Sequence, residues 1–394
     1  MRILMINVTC GSGSTGRICT DLAEALEKSG HEVKIAYGRN AVPKDCERFA
    51  VRIGSDIGVK LHALKARLTD ASGFGSRAAT ERFIKWVKEF DPDIIHLHNI
   101  HGYYINVNVL FDYLASCGKR VIWTLHDCWA FTGHNAYCIS AKCEKWETGC
   151  GACPDISGYP KSLVDRSHRN WELKKLLFTS VPGLTLVVPS KWLAGLAARS
   201  FLKDCPCFVI PNGIDTAVFH HDEGGMREKL KLGNRKVVLG VASVWSAYKG
   251  LGDLIKLRAL LDPEEYAIVL VGLTKKQIGS LPDGVTGLER TDSARSLAQL
   301  YSMAHVFVNP TYDDNFPTTN LEALACGTPV VTYDTGGSGE AAGRTAGDVV
   351  PAGDVNALAE SIKRLPASIE TRLFTKEAMA AGYCKVYFGS GEGV

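Results

Sequence analysis

Residues 314–331 read DNFPTTNLEALACGTPVV, and they predict a polar loop, a helix and the start of a strand. The apolar run before them, residues 304–310, is typical of a buried strand. The Gly-Thr-Pro sequence at 327–329 ends the helix. Asp314 and Glu322 therefore flank a helix N-terminus, whose free N–H groups and dipole suit a phosphate or sugar oxygen. An ordinary strand–loop–helix unit with a solvated Glu322 would show the same pattern.

The rest of the chain alternates between strand and helix patterns. Strand patterns occur at residues 2–8, 32–37, 94–98, 121–126 and 184–189, and again at 236–241 and 266–272. A segment rich in turn formers and charges separates the two series. Such alternation predicts parallel, doubly wound sheets. We therefore predict an α/β fold with two Rossmann-like domains, residues 1–209 and 210–372, followed by a helical tail at 373–394.

Composition narrows the possible classes of protein. The 394 residues are 46% hydrophobic and 22% charged, which is enough to bury two ordinary cores, and the net charge of +3 does not favour a nucleic-acid partner. The apolar part of residues 1–8 is too short for a signal peptide, and no apolar stretch is long enough to cross a bilayer. We expect a cytoplasmic protein with reduced cysteines.

The two acids and the sequence that follows them resemble a known family signature. The spacing from Asp314 to Glu322, with the EALACGTPV sequence after it, is similar to that of family 4 retaining glycosyltransferases, which have the GT-B architecture. Asp314 replaces the usual Glu and Pro317 the usual Gly. The resemblance covers nearly the whole chain. It implies two domains facing a central cleft, an N-terminal acceptor domain and a C-terminal donor domain, with the tail helix returning to the first.

The resemblance also implies a reaction. Such enzymes move a sugar from a nucleotide-sugar to a hydroxyl with retention at the anomeric carbon, and the most similar ones build bacterial capsular, exopolysaccharide or O-antigen chains. We expect a UDP- or GDP-sugar donor, a glycan or polyprenyl-diphosphate-linked acceptor and no catalytic metal. The favoured account is front-face attack in which the leaving phosphate takes the acceptor's proton, so no protein base is assigned.

Residue by residue, the resemblance places Lys249 at the donor phosphate, Asp314 near the donor sugar and Glu322 at the ribose hydroxyls. An exposed loop lysine is the plain alternative for Lys249. The family's usual Arg is absent, since Val244-Trp245-Ser246 stands in its place. The donor-binding set comprises Gly13, Gly16, Lys249, Asp314, Asn315, Phe316, Thr318, Thr319 and Glu322, and the catalytic set comprises His126, Lys249 and Asp314.

A glycine-rich loop, GSGSTG at residues 11–16, follows the first strand and opens a helix. It matches the dinucleotide fingerprint G-x-G-x-x-G, and Arg39 after the second strand could hold a 2′-phosphate. An NAD(P)-dependent oxidoreductase is therefore an alternative, although it leaves Lys249 and the acid pair unexplained. Arg17-Ile18 replaces the Lys-Ser/Thr of a P-loop and excludes that motif. A non-catalytic paralogue that binds nucleotide-sugars or glycans is a third interpretation.

Two strands of the first domain end in histidine. His126 and His98 fall at strand C-termini, where ligands gather in open α/β sheets, and His126 matches a family His that approaches the transferred sugar. A structural histidine is the alternative for each. Asp91-Pro92-Asp93 resembles a metal-binding D-x-D motif, but its place before a strand favours a turn.

Cysteines cluster in one loop of the first domain. Cys138, Cys143, Cys150 and Cys153 could form a tetrahedral zinc site, with His134 as a substitute fourth ligand. Buried thiols or an adventitious disulfide are the alternatives, so structural zinc is a hypothesis here.

Basic and aromatic residues recur in two helical segments of the first domain. The first set is Lys60, Lys65, Arg67, Arg77, Arg82, Lys85, Trp86 and Lys88, and the second is Lys161, Arg166, Arg169, Trp171, Lys174 and Lys175. Solvated helix faces explain most such patterns. Peripheral contact with an anionic membrane, at the inner face of the cell membrane, is the sharper interpretation.

Overall fold

The computed structural model describes residues 1–137, 139, 141–342, 347–365 and 374–389. The chain forms two compact units. The first is Met1–Pro211 together with the C-terminal segment that starts at Glu377, and the second is Asn212–Lys376. No helix within the described ranges is both long and apolar enough to span a bilayer.

A parallel sheet forms the centre of the first unit. Its described strands are β1 (Arg2–Asn7), β2 (Glu32–Tyr37), β3 (Ala50–Arg52), β4 (Ile94–Leu97), β5 (Arg120–Thr124), β6 (Thr185–Val188) and β7 (Cys207–Val209). They lie in the order β3-β2-β1-β4-β5-β6-β7, and neighbours pair in parallel. The helices between them are α1 (Gly13–Lys28), α2 (Asp56–Thr69), α3 (Arg77–Phe90), α4 (Val107–Ser116), α5 (Ser167–Phe178) and α6 (Lys191–Arg199).

The second unit repeats this plan. Its described strands are β8 (Lys236–Val241), β9 (Tyr266–Val271), β10 (Val285–Leu288), β11 (Val306–Asn309), β12 (Val330–Tyr333) and β13 (Gly347–Val350). They lie in the order β10-β9-β8-β11-β12-β13, all parallel, which is the Rossmann order. Its helices are α7 (Met226–Lys229), α8 (Leu251–Leu257), α9 (Lys275–Ile278), α10 (Ala294–Met303), α11 (Thr318–Ala325), α12 (Ser338–Ala342) and α13 (Val355–Arg364).

Helices cover both faces of each sheet, and this explains the apolar strands. In β4 and β11 every residue is buried, as expected for parallel strands enclosed on two sides. Apolar side chains of α3, α4, α5 and α6 pack on one face of the first sheet, and those of α1 on the other. The predicted α/β class with two Rossmann-like sheets is confirmed.

The last helix, α14 (Lys376–Phe388), packs beside α1 in the core of the first unit. Two of its tyrosines also form hydrogen bonds with side chains of β4 and β5. Tyr387 Oη lies 2.6 Å from His96 Nδ1, and Tyr383 Oη lies 3.0 Å from Thr124 Oγ1. His96 Nε2 in turn lies 2.7 Å from Thr124 Oγ1. Helix α14 thus provides hydrogen-bond partners for buried polar side chains of β4 and β5.

Candidate active site

The carboxyl ends of β8 and β11 mark the point where the strand order of the second sheet reverses. The loop after β8 carries Lys249, and the loop after β11 carries Asp314. Lys249 Nζ lies 2.6 Å from Asp314 Oδ2, and the two side chains are 34% and 20% exposed. The fold therefore joins two residues that are 65 positions apart in the sequence, at the place where open α/β sheets bind ligands.

The backbone around Lys249 is fixed against the exit of β11. Gly250 has φ of +71°, and a Cβ on it would lie 2.1 Å from the Pro310 carbonyl oxygen. A larger residue would therefore push the two loops apart. The amide of Tyr312 also donates to the carbonyl of Tyr248 at 2.7 Å. These contacts hold the lysine next to the loop that carries Asp314.

Helix α11 begins directly after Pro317, which is its N-cap residue. No side chain among the described residues caps this terminus, and Thr318 and Thr319 are partly exposed. The Asp314 carbonyl accepts a hydrogen bond from the amide of Gly337 at 3.2 Å, so the glycine-rich turn before α12 lies beside the same segment. An ammonium group, an uncapped helix N-terminus and this turn thus adjoin one short loop, which is an arrangement that suits a phosphate.

Asn315 and Phe316 were predicted to contact the donor directly, but both are almost fully buried. Asn315 is 8% exposed and Phe316 is 5% exposed. The Phe316 carbonyl accepts from Asn212 Nδ2 at 3.1 Å, and its ring packs edge-on against Phe374. Phe316 thus holds the loop against neighbouring residues of the second unit, and contact of Asn315 and Phe316 with a donor stays a prediction.

Glu322 lies inside the second unit. It is only 2% exposed, and its Oε2 accepts a hydrogen bond from Tyr301 Oη at 3.0 Å. The solvated side chain considered as the alternative is therefore wrong. The role of Glu322 at the ribose stays a prediction.

A buried amide network near the site was not predicted from the sequence. Asn320 accepts from Asn309 Nδ2 at 2.8 Å and donates to the Ser338 carbonyl at 3.2 Å. The Ser338 and Thr332 hydroxyls lie 2.7 Å apart. The network therefore joins β11, α11, β12 and α12. The sequence did contain one signal for this network, because Asn320 is a polar residue at a position of α11 that faces the core.

In the first unit, His98 and His126 meet at the ends of β4 and β5. His98 Nδ1 lies 3.1 Å from His126 Nε2, and the rings stack with centroids 5.4 Å apart. His96, two residues earlier on β4, also packs against His98, with ring centroids 4.0 Å apart. Beside them, His101 Nε2 and Asp127 Oδ2 lie 2.7 Å apart. The sequence-based expectation that the two strand ends carry neighbouring histidines agrees with this geometry.

Burial keeps His96, His98 and His126 neutral at pH 7. Burial lowers the pKa of His96 to about 3 and the pKa of His126 to about 4, although the Asp127 carboxylate acts in the opposite direction on His126. Burial and the proximity of His96 lower the pKa of His98 well below its usual value. His126 therefore offers a neutral imidazole, which can form hydrogen bonds but carries no charge.

The glycine-rich loop lies at the corresponding reversal of strand order in the first sheet, between β1 and β4. Gly11 and Gly13 both have φ of +69°, and a Cβ on Gly16 would lie 2.6 Å from Thr9 Oγ1. Asn7 Oδ1 accepts from the amide of Asn99, so the end of β1, where the loop begins, is tied to the segment after β4 that carries His98. The glycines are explained by the tight turn into α1. A donor contact at Gly13 and Gly16 stays a prediction.

Three of the predicted zinc ligands are described, and Cys138 lies outside the described residues. Cys143, Cys150 and Cys153 line a cavity of about 40 Å³ together with His134. Across the described residues, however, no group of three or more His, Cys, Asp or Glu side chains is arranged to hold a metal ion. Burial raises the pKa of both Cys150 and Cys153 to about 11. Both are therefore protonated thiols in the metal-free protein.

One observation nevertheless suits a ligand at this cavity. Asp70 Oδ1 lies 2.5 Å from His134 Nδ1, which orients the ring, while His134 Nε2 is buried with no hydrogen-bond partner among the described residues. A carboxylate behind a histidine is the usual support of a metal-binding imidazole. The zinc site stays a prediction, with His134 as a candidate ligand.

The prediction that the second set of basic and aromatic residues lies at the surface is wrong for two of its members. Trp171 is 2% exposed and Lys174 is 1% exposed. Lys174 Nζ donates to the carbonyls of Trp129 and Thr132, at 2.7 and 2.9 Å, and lies 3.5 Å from the centre of the Trp129 ring. Burial lowers the pKa of Lys174 to about 7. This lysine supports the loop after β5 and does not face a partner.

Comparisons with known proteins agree with the fold and the motifs. Residues 15–218 match the family model described as Glycosyltransferase Family 4, and residues 235–368 match the model described as Glycosyl transferases group 1. The chain is 25% identical, over 378 residues, to the putative colanic acid biosynthesis glycosyl transferase WcaC of Escherichia coli K12, and the match covers 92% of this chain and 90% of WcaC.

Solved structures show the same fold. Sucrose-phosphate synthase from Thermosynechococcus elongatus superposes with a TM-score of 0.73 at 20% identity over 98% of both chains. The Anabaena HepE protein, solved in complex with UDP-glucose, superposes with a TM-score of 0.62 at 17% identity over 92% of this chain and 89% of HepE.

The buried histidines predict how stability changes with pH. His96, His98 and His126 have folded-state pKa values below the ordinary 6.5, so the unfolded chain binds protons first as the pH falls. The stability of the first unit should be complete above about pH 7 and decrease between about pH 6.5 and 5, by up to roughly 1.4 kcal/mol per pH unit for each histidine. Carboxylates titrate mainly below this range.

Urea unfolding followed by tryptophan fluorescence measures this effect, because six of the seven tryptophans lie in the first unit. The variant His98→Asn should make the free energy of unfolding depend less steeply on pH, because the unfolded variant takes up about one proton fewer than the wild type. The control variant His221→Asn changes a histidine whose side chain is 62% exposed, in the second unit, and should leave the slope unchanged. Equal free energies of unfolding at pH 7 and pH 5 would contradict the neutral histidine cluster.

The cysteine loop predicts bound zinc. Protein purified without chelator should contain about one equivalent of the metal, measured by elemental analysis, because a four-ligand thiolate and imidazole site binds zinc tightly. Cys150→Ser should abolish the bound metal, whereas Cys117→Ser, on the half-buried cysteine after α4, should retain it. Metal-free protein in which all thiols react freely would refute the site.

Proposed function

The chain belongs to glycosyltransferase family 4, and we propose that it transfers a sugar from a nucleotide-sugar to a hydroxyl of a glycan or polyprenyl-diphosphate-linked acceptor, with retention at the anomeric carbon. The observation that carries this proposal is the Lys249–Asp314 contact beside the uncapped N-terminus of α11. Together they offer a phosphate-binding cation and a sugar-binding carboxylate at the reversal point of the second sheet.

The proposed role of Lys249 follows from the charge that develops in the reaction. When the glycosidic bond breaks, the departing nucleoside diphosphate gains negative charge on its phosphate oxygens. A fixed ammonium group and the free amides of Thr318 and Thr319 would stabilise that charge without reorganisation. Exposed Val244 stands where the family has an Arg, so Lys249 should supply a large share of the positive charge.

Asp314 and His126 would act on the transferred sugar. The Asp314 carboxylate can accept hydrogen bonds from sugar hydroxyls while it holds Lys249 in place. The neutral imidazole of His126 suits contact with an uncharged hydroxyl, and its pKa of about 4 makes it a poor proton acceptor at pH 7. The acceptor's proton would therefore pass to the leaving phosphate. No catalytic metal is proposed.

The donor and the pathway are proposed from the relatives. HepE was solved with UDP-glucose, and WcaC is named for colanic acid, which is a polysaccharide. We therefore expect a UDP- or GDP-sugar as donor and a growing surface polysaccharide, capsular or exopolysaccharide, as the product. Glu322 is proposed to bind the ribose hydroxyls. Because Glu322 is only 2% exposed in this structure, the side chain would have to become accessible for this contact, while the carboxylate can keep its bond from Tyr301 and still accept others.

Release of nucleoside diphosphate from UDP- and GDP-sugars tests the proposal, first as slow donor hydrolysis and then with added acceptor. Lys249→Ala should lower kcat by roughly 10²–10³, because phosphate charge grows toward the transition state. The donor KM should change less, since the ground-state diphosphate keeps its amide contacts. Lys256→Ala is the matched control. Lys256 is also paired with an aspartate, since its Nζ lies 2.9 Å from Asp253 Oδ1, and its loss should leave kcat unchanged.

Three results would contradict this proposal in whole or in part. Near-normal kcat in Lys249→Ala would mean that another cation faces the leaving phosphate. Tight binding of a nucleotide-sugar without hydrolysis or transfer would instead indicate a non-catalytic binding paralogue, which the absent Arg favours. Reduction of NAD(P) or oxidation of its reduced form by the protein would support the oxidoreductase alternative.

A further inference from the structure

Helix α2 is apolar on the face that points away from the protein core. Ile57, Leu61, Leu64 and Leu68 are 72%, 62%, 56% and 51% exposed. Their spacing of four, three and four residues places them in one row along the helix. The side chains that the helix buries are those of His62 and Ala66. A soluble helix normally shows the opposite pattern, with its apolar row facing inward.

Two more exposed apolar residues extend this row. The amide of Leu163 donates to the Arg67 carbonyl at 2.8 Å, which places the 163–164 segment at the C-terminal end of α2. Leu163 is 65% exposed and Val164 is 40% exposed. We call these six residues the α2 patch: Ile57, Leu61, Leu64, Leu68, Leu163 and Val164. It contains half of the twelve large apolar side chains that are exposed in the described part of the chain.

Basic residues flank the row on both sides. At 100° per residue, Lys65 lies on one side of the row, and Lys60 and Arg67 lie on the other, and all three are exposed. Residues 52–88 contain eight basic and three acidic residues. Each of these acids is engaged: Asp56 pairs with Arg52, Glu81 pairs with Arg77, and Asp70 is buried against His134. The surface around the patch is therefore positively charged.

A cavity of about 770 Å³ opens beside the patch, between α2 and α3. Its lining includes Leu61 and Lys65 from α2, and Arg77, Arg82 and Trp86 from α3. Apolar side chains and cations thus meet at its walls, as they do at the level of lipid headgroups, where long basic side chains reach outward from an apolar base.

We propose that the α2 patch docks the protein on an anionic lipid bilayer, with α2 lying in the plane of the interface. The leucine row would insert among the upper acyl chains, and Lys60, Lys65 and Arg67 would contact acidic headgroups on both sides. A second copy of this chain is a poorer occupant, because a symmetric contact would place the same basic flanks against each other. The proposal does not depend on the proposed function, since it concerns a surface outside the site residues.

Co-sedimentation with vesicles tests the proposal without any activity assay. The protein should bind vesicles made of equal parts phosphatidylcholine and phosphatidylglycerol and should remain in solution with phosphatidylcholine alone. Binding should decrease by roughly tenfold or more when salt is raised from about 0.05 to about 0.5 M, because screening weakens the headgroup contacts. The double variant Leu61→Gln/Leu64→Gln should lose binding by about tenfold or more, since it removes the two central apolar side chains of the row on α2.

Leu176→Gln is the matched control, because Leu176 is 69% exposed on α5 and lies outside the patch. Circular dichroism should show that all variants keep the wild-type fold, since only exposed side chains change. Failure of the wild-type protein to bind the anionic vesicles at low salt would overturn the proposal. Equal binding by the double variant would also overturn it. Light scattering that shows a dimer disrupted by the double variant, without vesicle binding, would identify the patch as a self-association surface instead.

Discussion

The ion pair between Lys249 and Asp314 depends on one feature of the fold, the adjacency of β8 and β11 in a parallel sheet. These strands are separated in sequence by β9, β10 and the helices between them, yet they pair directly. Because parallel strands end at the same edge, their following loops converge there. The positive φ of Gly250 and its contact with the Pro310 carbonyl then fix the distance between the two loops. The proposed phosphate site follows from this geometry.

The two units offer different electrostatic environments at their strand ends. The second unit presents a lysine, a carboxylate and a helix N-terminus, which suit a charged diphosphate. The first unit presents histidines that burial keeps neutral, which suit uncharged hydroxyl groups. This difference supports the proposed assignment of the donor diphosphate to the second unit. It also explains why the stability of the first unit, in particular, should depend on pH near neutrality.

Much of the fold was predictable because its signals are local. Strand and helix patterns, turn residues and the acid spacing all lie within short segments, and both sheets agree with them. Burial of polar residues was less predictable, because it depends on partners distant in sequence. Glu322 is covered by Tyr301 of α10, and Lys174 is enclosed by carbonyls of the loop after β5. The exposed leucines of α2 were missed for the converse reason. Their row has the spacing of a core-facing helix, and only the structure shows that it faces outward.

The location of a bound nucleotide tests the central claim most directly. A crystal structure should be determined with UDP or GDP, whichever raises the melting temperature more. We predict that the diphosphate lies within hydrogen-bond distance of Lys249 Nζ and of the first amides of α11, at about 3 Å. A nucleotide whose diphosphate lies on the Gly11–Gly16 loop, with no contact to Lys249, would contradict the assignment of the donor site and favour a dinucleotide-binding protein.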